Sequence, residues 1–197
     1  MNKHSANKII LSSALFLTLA LTGCSGFGTS TGAKADDPRL KTYENSEFSI
    51  KIPKEWEVIE KKDFTNDVPD VTVVVFRNNV KNETFTANVN IVRNSLQATI
   101  ETGEYAKMVY NRQKTGLYDF KEDKREDYNV KIGDKDVVSS YLIFEAQKAT
   151  DQPAVKYLQT YAVKNNFAYI VTGAVSPKEN DVTVQSIESI IKSFQLK

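Results

Sequence analysis

The chain has one histidine, one cysteine and one tryptophan in 197 residues. The histidine, His4, and the cysteine, Cys24, both fall in the first 24 residues. They flank an apolar run from Ile9 to Ala20 that follows Lys3 and Lys8 and ends in Leu21-Thr22-Gly23-Cys24. A membrane span needs roughly 20 apolar residues, so this run is too short for one. A basic flank, a short apolar core, small residues and then cysteine read as a bacterial lipoprotein signal. The expected mature chain starts at Cys24, with the lipid on its sulfur. Residues 1–23 would be removed, and His4 with them.

That loss excludes whole classes of chemistry. Without imidazole or a free thiol, Ser-His-Asp and Cys-His catalysis are impossible. Zinc sites built on histidine or cysteine are excluded too. No disulfide forms, so the fold rests on its core. Charge of one sign is also missing. The chain has 26 Lys and Arg against 25 Asp and Glu. Removing Lys3 and Lys8 with the signal leaves 24 against 25, a net charge of −1. Nucleic-acid binders concentrate basic residues, and this balance argues against one. It also argues against electrostatic capture by anionic headgroups, which leaves the acyl chains as the membrane anchor. The expected location is the outer side of the cell membrane.

Residues 24–40 are mostly Gly, Ser, Thr, Ala and Lys, with Phe27 nearly their only large apolar residue. They read as the lipidated cysteine and a flexible tether. Gly26, Gly28 and Gly32 lack the spacing of a dinucleotide loop and are linker glycines. Residues 41–197 have the composition of one globular domain.

Within that domain the strands are the clearest signals. Phe48, Ile50 and Ile52 alternate with polar residues until Pro53, and Trp56 and Val58 continue after a tight corner. Val71 to Phe76 reads as a central strand covered on both faces. Phe85, Ala87, Val89 and Ile91 alternate with Thr86, Asn88 and Asn90. Three further runs span Val137–Ala146, Val155–Val163 and Phe167–Val175. Gly133-Asp134 and Asn165-Asn166 mark hairpin turns, since these residues tolerate positive φ. Tyr105, Met108, Val109 and Arg112 predict a helix capped by Thr99 or Thr102 and ended by Gly116. Ile187, Ile190, Ile191 and Phe194 predict a second. Two helices and about seven or eight hairpin-linked strands imply an α+β fold, an antiparallel sheet flanked by helices as an α/β/α sandwich.

The segment Tyr43-Glu44-Asn45-Ser46-Glu47-Phe48-Ser49-Ile50-Lys51-Ile52-Pro53-Lys54-Glu55-Trp56 resembles the opening of PsbP-like domains. Those begin with an aromatic-led strand that ends in Pro, one or two polar residues and Trp. Tyr161 to Val171 resembles the family's last hairpin, and Ile190-Ile191-Lys192-Ser193-Phe194 its closing helix. Many members carry Gly-Phe and Tyr-Pro where this chain has Glu47-Phe48 and Ile52-Pro53. The resemblance covers about residues 42–196 and extends in fold to DcrB-type envelope lipoproteins. It implies a binding or scaffolding platform without a cofactor, although fold alone does not dictate function.

Several residues are candidate sites. Trp56 is either a ligand-stacking platform or a core plug behind the Pro53 corner. Asp63, Asp67 and Asp70, with Asn66, are oxygen donors of the kind calcium prefers, but their spacing is not that of an EF-hand; a solvated loop explains them as well. Asn88 and Asn90 share one face of a strand beside Thr86 and either line a polar groove or face solvent. The alternating charges of Asp119–Asp127 mark a solvated rim or a docking edge. Asn82-Glu83-Thr84 matches a glycosylation sequon by chance. The leading expectation is a non-enzymatic, lipid-anchored module for an envelope protein or small ligand. The alternatives are a glycan hydrolase using two carboxylates and a calcium-dependent binding module.

Overall fold

The structure, a computed structural model, describes residues 37–65, 68–80 and 85–197. Cys24, the tether glycines, Asn66, Asp67 and the sequon at Asn82 lie outside them. Asp36–Lys197 form one compact unit. In chain order the elements are β1 (Leu40–Glu44), β2 (Phe48–Pro53), β3 (Glu57–Glu60), β4 (Thr72–Arg77), β5 (Asn88–Ser95), α1 (Thr102–Gly116), β6 (Tyr118–Ile132), β7 (Lys135–Gln147), β8 (Val155–Lys164), β9 (Phe167–Val175), α2 (Asp181–Lys192) and β10 (Gln195–Leu196). The strands form one sheet in the order β1-β2-β10-β6-β7-β8-β9-β5-β4-β3.

The α+β class expected from the sequence holds. The sheet dominates more than the expected sandwich implied, and it is mixed rather than wholly antiparallel. Gln195 and Leu196 pair in parallel with Lys131 and Ile132 while pairing antiparallel with β2. A two-residue strand has no periodicity to read, so only the placement of its neighbours creates it.

Alternation explains the layering. Along β8, Leu158 and Ala162 join the cluster that contains Ile187, Ile190 and Ile191 of α2. The intervening Tyr161 packs with Tyr105 and Ala106 of α1. Successive strand residues face opposite sides, so the two helices lie on opposite sides of β8. In β2 the same rule buries Phe48, Ile50 and Ile52 and leaves Lys51 exposed. The corner after Pro53 closes on a hydrogen bond from the Trp56 N–H to the Pro53 carbonyl, 3.0 Å. Lys41 Nζ donates to the carbonyls of Lys54 and Trp56 at 2.9 and 3.0 Å and ties this corner to β1.

Four local expectations need correction. β4 buries Thr72, Val74 and Phe76 but leaves Val73 and Val75 half-buried, because it lies next to the edge strand β3. Its apolar run reflects the preference of β-branched residues for strands as much as burial. The strand expected from Phe85 starts at Asn88. Helix α1 has Glu101 as its N-cap and no side-chain cap. Thr102 instead accepts from the Val163 N–H at 3.1 Å, and Thr99 donates to Asn166 Oδ1 at 2.8 Å. The buried stripe of α1 passes through Thr102, Tyr105 and Ala106, and Met108 is 50% exposed.

The β8–β9 turn is as expected. Asn165 and Asn166 have φ of 50° and 60°, between the paired residues Lys164 and Phe167. Two left-handed residues in a two-residue loop match the right-handed twist of the strands. Asn165→Val should therefore destabilise the domain by about 1–2 kcal/mol, whereas Asn165→Gly should be close to neutral. Chemical denaturation of the two variants side by side checks this. Equal midpoints would show that the turn bears no such constraint.

Candidate functional site

A groove of about 300 Å³ opens on the sheet face that carries α1, beyond the helix. Its floor follows from strand register. Asn88 of β5 lies opposite Ala174 of β9, which lies opposite Tyr157 of β8. A small residue between two larger ones leaves a depression. Asn90 and Val155 extend the two walls. Phe85 closes one end, and Lys148, Gln152 and Pro153 come from the loop between β7 and β8.

The walls differ in chemistry. The Tyr157 ring is held by a stack of aromatic side chains. It stacks on Phe144 at 5.0 Å, and Phe144 stacks on Phe120 at 4.9 Å. Phe120 meets Tyr110 of α1 edge-on at 6.0 Å, and Arg125 caps the Tyr110 ring at 4.3 Å. Such a stack fixes the plane of Tyr157 more firmly than its own two torsions would. Burial pushes the Tyr157 phenol up, so it is neutral at physiological pH and both donates and accepts. On the facing wall, Asn88 Nδ2 donates to the Thr86 carbonyl at 3.1 Å, which orients its amide. Among the described residues, the Asn90 amide and Lys148 Nζ have no protein hydrogen-bond or ion-pair partner. The groove thus offers carboxamides, a phenol, one ammonium and a flat ring.

Among the described residues, no carboxylate lines this groove. A carboxylate-pair glycosidase needs two acids about 5–10 Å apart across its substrate, and the described lining of this groove supplies none. The other sequence candidates lie elsewhere. Trp56 is 3% exposed within the main core cluster, packed rather than presented. Asp63 ends a single 3-10 turn over Lys61–Asp63 and is exposed, as is Asp70. Among the described residues no three His, Cys, Asp or Glu side chains converge. Of the candidate site residues named from the sequence, the groove brings together Asn88 and Asn90, beside Phe85 and Val155 of the expected strands. Tyr157, Lys148, Gln152 and Ala174 carried no sequence signal. They come from two strands and a loop that only register and chain reversal bring opposite Asn88.

Beneath α1 lies a second polar cluster, buried at Gln159, Tyr161 and Thr172 and half-buried at Gln113. Gln159 accepts from Gln113 Nε2 at 2.9 Å and from the Tyr161 hydroxyl at 3.0 Å, and donates to Thr172 Oγ1 at 3.0 Å. It occupies the row next to the groove, since Gln159 and Asn90 both lie opposite Thr172. The network fixes α1 over the sheet, and so fixes Tyr110 behind the aromatic stack.

No family model matches the chain, and no curated protein matches it. Solved structures do. Cyanobacterial PsbP from Synechocystis sp. PCC 6803 aligns with a TM-score of 0.54 at 13% identity, over 90% of this chain and 99% of that one. LpqN of Mycobacterium tuberculosis, described as involved in cell envelope biogenesis, aligns at 0.57 and 10% identity, over 83% and 87%. A protein of unknown function from Pseudomonas aeruginosa, PA94, aligns at 0.53 and 15% identity, over 79% and 95%. At such identities the likeness is one of fold, and it agrees with the opening strand, Pro–Trp corner, last hairpin and closing helix read from the sequence: the domain has the PsbP-like fold.

Proposed function

We propose that this protein is a non-enzymatic binding module, held at the outer face of the cell membrane by lipid on Cys24, and that the Asn88–Tyr157 groove is where it takes hold of an envelope protein segment or a small polar ligand. The observation that carries the reading is the groove itself. One wall is rigid and aromatic, the other carries the oriented Asn88 amide and the Asn90 amide without a protein partner, and no carboxylate or nucleophile–base pair accompanies them among the described residues. Such a surface suits recognition: its phenol and ammonium have no paired base or carboxylate among the described lining residues to set up a catalytic relay. The envelope role described for LpqN agrees with this setting. No helix among the described residues is long and apolar enough to cross a membrane.

The test uses site-specific photocrosslinking in intact cells, with benzoylphenylalanine at Gln152 on the groove rim or at Lys178, which does not line it. Capture of a discrete species from the Gln152 site, lost on Tyr157→Ala, is the expected result. The same species from both sites, or capture indifferent to Tyr157, would overturn the groove as the binding site. Labelled palmitate should enter the wild-type protein and not Cys24→Ala. Equal incorporation would remove the anchor from the proposal.

A further inference from the structure

β6 is an unusual edge. Its inner side pairs with β7, and its outer side meets β10 only at Lys131 and Ile132. From Tyr118 to Val130, no strand pairs with the outer side among the described residues. Lys121 to Arg125 are all exposed. We propose that this edge pairs with the same edge of a second copy, antiparallel about a two-fold axis between Asp123 and Lys124, to form a homodimer. This goes beyond the groove and does not depend on it.

The charge order carries the inference. Lys121-Glu122-Asp123-Lys124-Arg125-Glu126 is self-complementary when reversed. About the proposed axis, Lys121 opposes Glu126 of the second copy, Glu122 opposes Arg125, and Asp123 opposes Lys124. Two-fold symmetry repeats each contact, so all six positions face the opposite charge. A shift of one residue destroys this. One neighbouring register sets Glu122 against Glu126 and Lys124 against itself. The other sets Lys121 against Arg125 and Asp123 against itself. Opposed like charges disfavour both.

A regular strand would forbid the favoured register. Its central pair consists of sequence neighbours, which point to opposite faces of a strand, whereas opposed residues must share a face. β6 is not regular there. Glu122 lies opposite Phe144 and Lys124 opposite Ile143, which makes Asp123 the extra residue of a bulge. Asp123 ion-pairs at 3.2 Å with Lys156, which also bonds Glu145 at 3.3 Å. Asp123 therefore lies on the Ile143 and Glu145 face, with Lys124. Lys121, opposite Glu145, and Glu126, opposite Tyr141, share that face too. Glu122 and Arg125, opposite Phe144 and Leu142, share the other. Each proposed pair thus meets on one face. Charged, bulged edges normally repel added strands. An edge that repelled its own copy would oppose like charges in its symmetric register, and this one opposes unlike charges.

The experiment uses the unit Asp36–Lys197, which contains the whole described core, in sedimentation equilibrium up to about 100 μM. The wild type should form a dimer that weakens with added salt, because exposed ion pairs are screened. Arg125→Glu opposes acid to acid, and Glu122→Arg opposes base to base. Each variant alone should dissociate at least tenfold more readily, and an equimolar mixture should regain the dimer. The pair Lys121→Glu and Glu126→Lys should behave in the same way and covers the case in which an Arg125 variant, by losing its contact with Tyr110, fails to fold. A wild type that is monomeric throughout overturns the proposal. So does a dimer indifferent to the single reversals, or folded variants whose mixture stays monomeric.

Discussion

Replacing Trp56 by alanine is expected to destabilise the domain by about 3–5 kcal/mol, while leaving the groove able to bind in whatever fraction remains folded. Trp56 is 3% exposed and lies in the same core cluster as Phe48, Ile50, Ile52 and Phe76. Its backbone also closes the corner after Pro53, and its carbonyl receives Lys41. Truncation would leave a cavity the size of an indole, bounded by side chains that are anchored in strands and cannot collapse into it. Domain stabilities are typically about 5–15 kcal/mol, so the loss is a large part of the total. Urea unfolding followed by circular dichroism gives the number. Trp56→Phe, which keeps most of the volume, should lose less than half as much. If Trp56→Ala instead unfolded at the wild-type midpoint and lost groove capture, the ring would be a platform and the core assignment wrong.

Gly173→Ala should destabilise the domain by about 2–3 kcal/mol, an unusual outcome for adding a methyl group. Gly173 is an interior residue of β9, opposite Val89 and Leu158, where a glycine normally weakens a strand. A Cβ there would lie 2.1 Å from Ile187 Cγ2 and 3.1 Å from Ile191 Cδ1. Both isoleucines are fully buried on α2, and Cγ2 branches directly from the Ile187 Cβ, so it cannot swing aside without moving the helix. Gly→Ala ordinarily gains about 0.4–1 kcal/mol by restricting the unfolded chain. The clash outweighs that gain. A double-mutant cycle separates packing from backbone effects: Ile187→Ala removes the obstructing methyl, so Gly173→Ala should cost less in that background than in the wild type. Additive losses would mean that α2 does not approach the sheet through this glycine.

The two substitutions show how unequally the sequence displays its own constraints. The corner at Pro53 and Trp56 was readable because proline, a tight turn and an isolated large aromatic residue are local signals. So were the asparagine turn at Asn165-Asn166 and the isoleucine stripe of α2, whose periodicity repeats within a few residues. Gly173 was not readable. Nothing in Val171-Thr172-Gly173-Ala174 says that a helix lies over that residue, because Ile187 reaches it only after the chain reverses. Met108 shows the converse. It fits an apolar helical spacing, but a long sheet supplies enough cover for Tyr105 and Ala106 and leaves it outside.

The candidate site divides along the same line. Asn88 and Asn90 could be paired from alternation alone, since residues two apart share a strand face. Their counterpart Tyr157 could not be found, because strand register places it two strands away across Ala174. The charge order of β6 was visible as a run of mixed signs. Its self-complementarity became usable only when the bulge at Asp123 showed which charges share a face.

What the sequence determined by itself was chemistry that depends on residue type and near neighbours: the absence of imidazole and thiol from the domain, the α+β class, the hairpin turns and the amphipathic face of α2. The tertiary structure decided everything that depends on which distant segments meet. It joined β10 in parallel to β6, buried Trp56, seated α2 on Gly173 and set Tyr157 opposite two asparagines. The division is physical. Propensity and periodicity act over a few residues and are written locally, whereas burial and pairing depend on the free energy of the whole packed chain, to which no single segment carries the key.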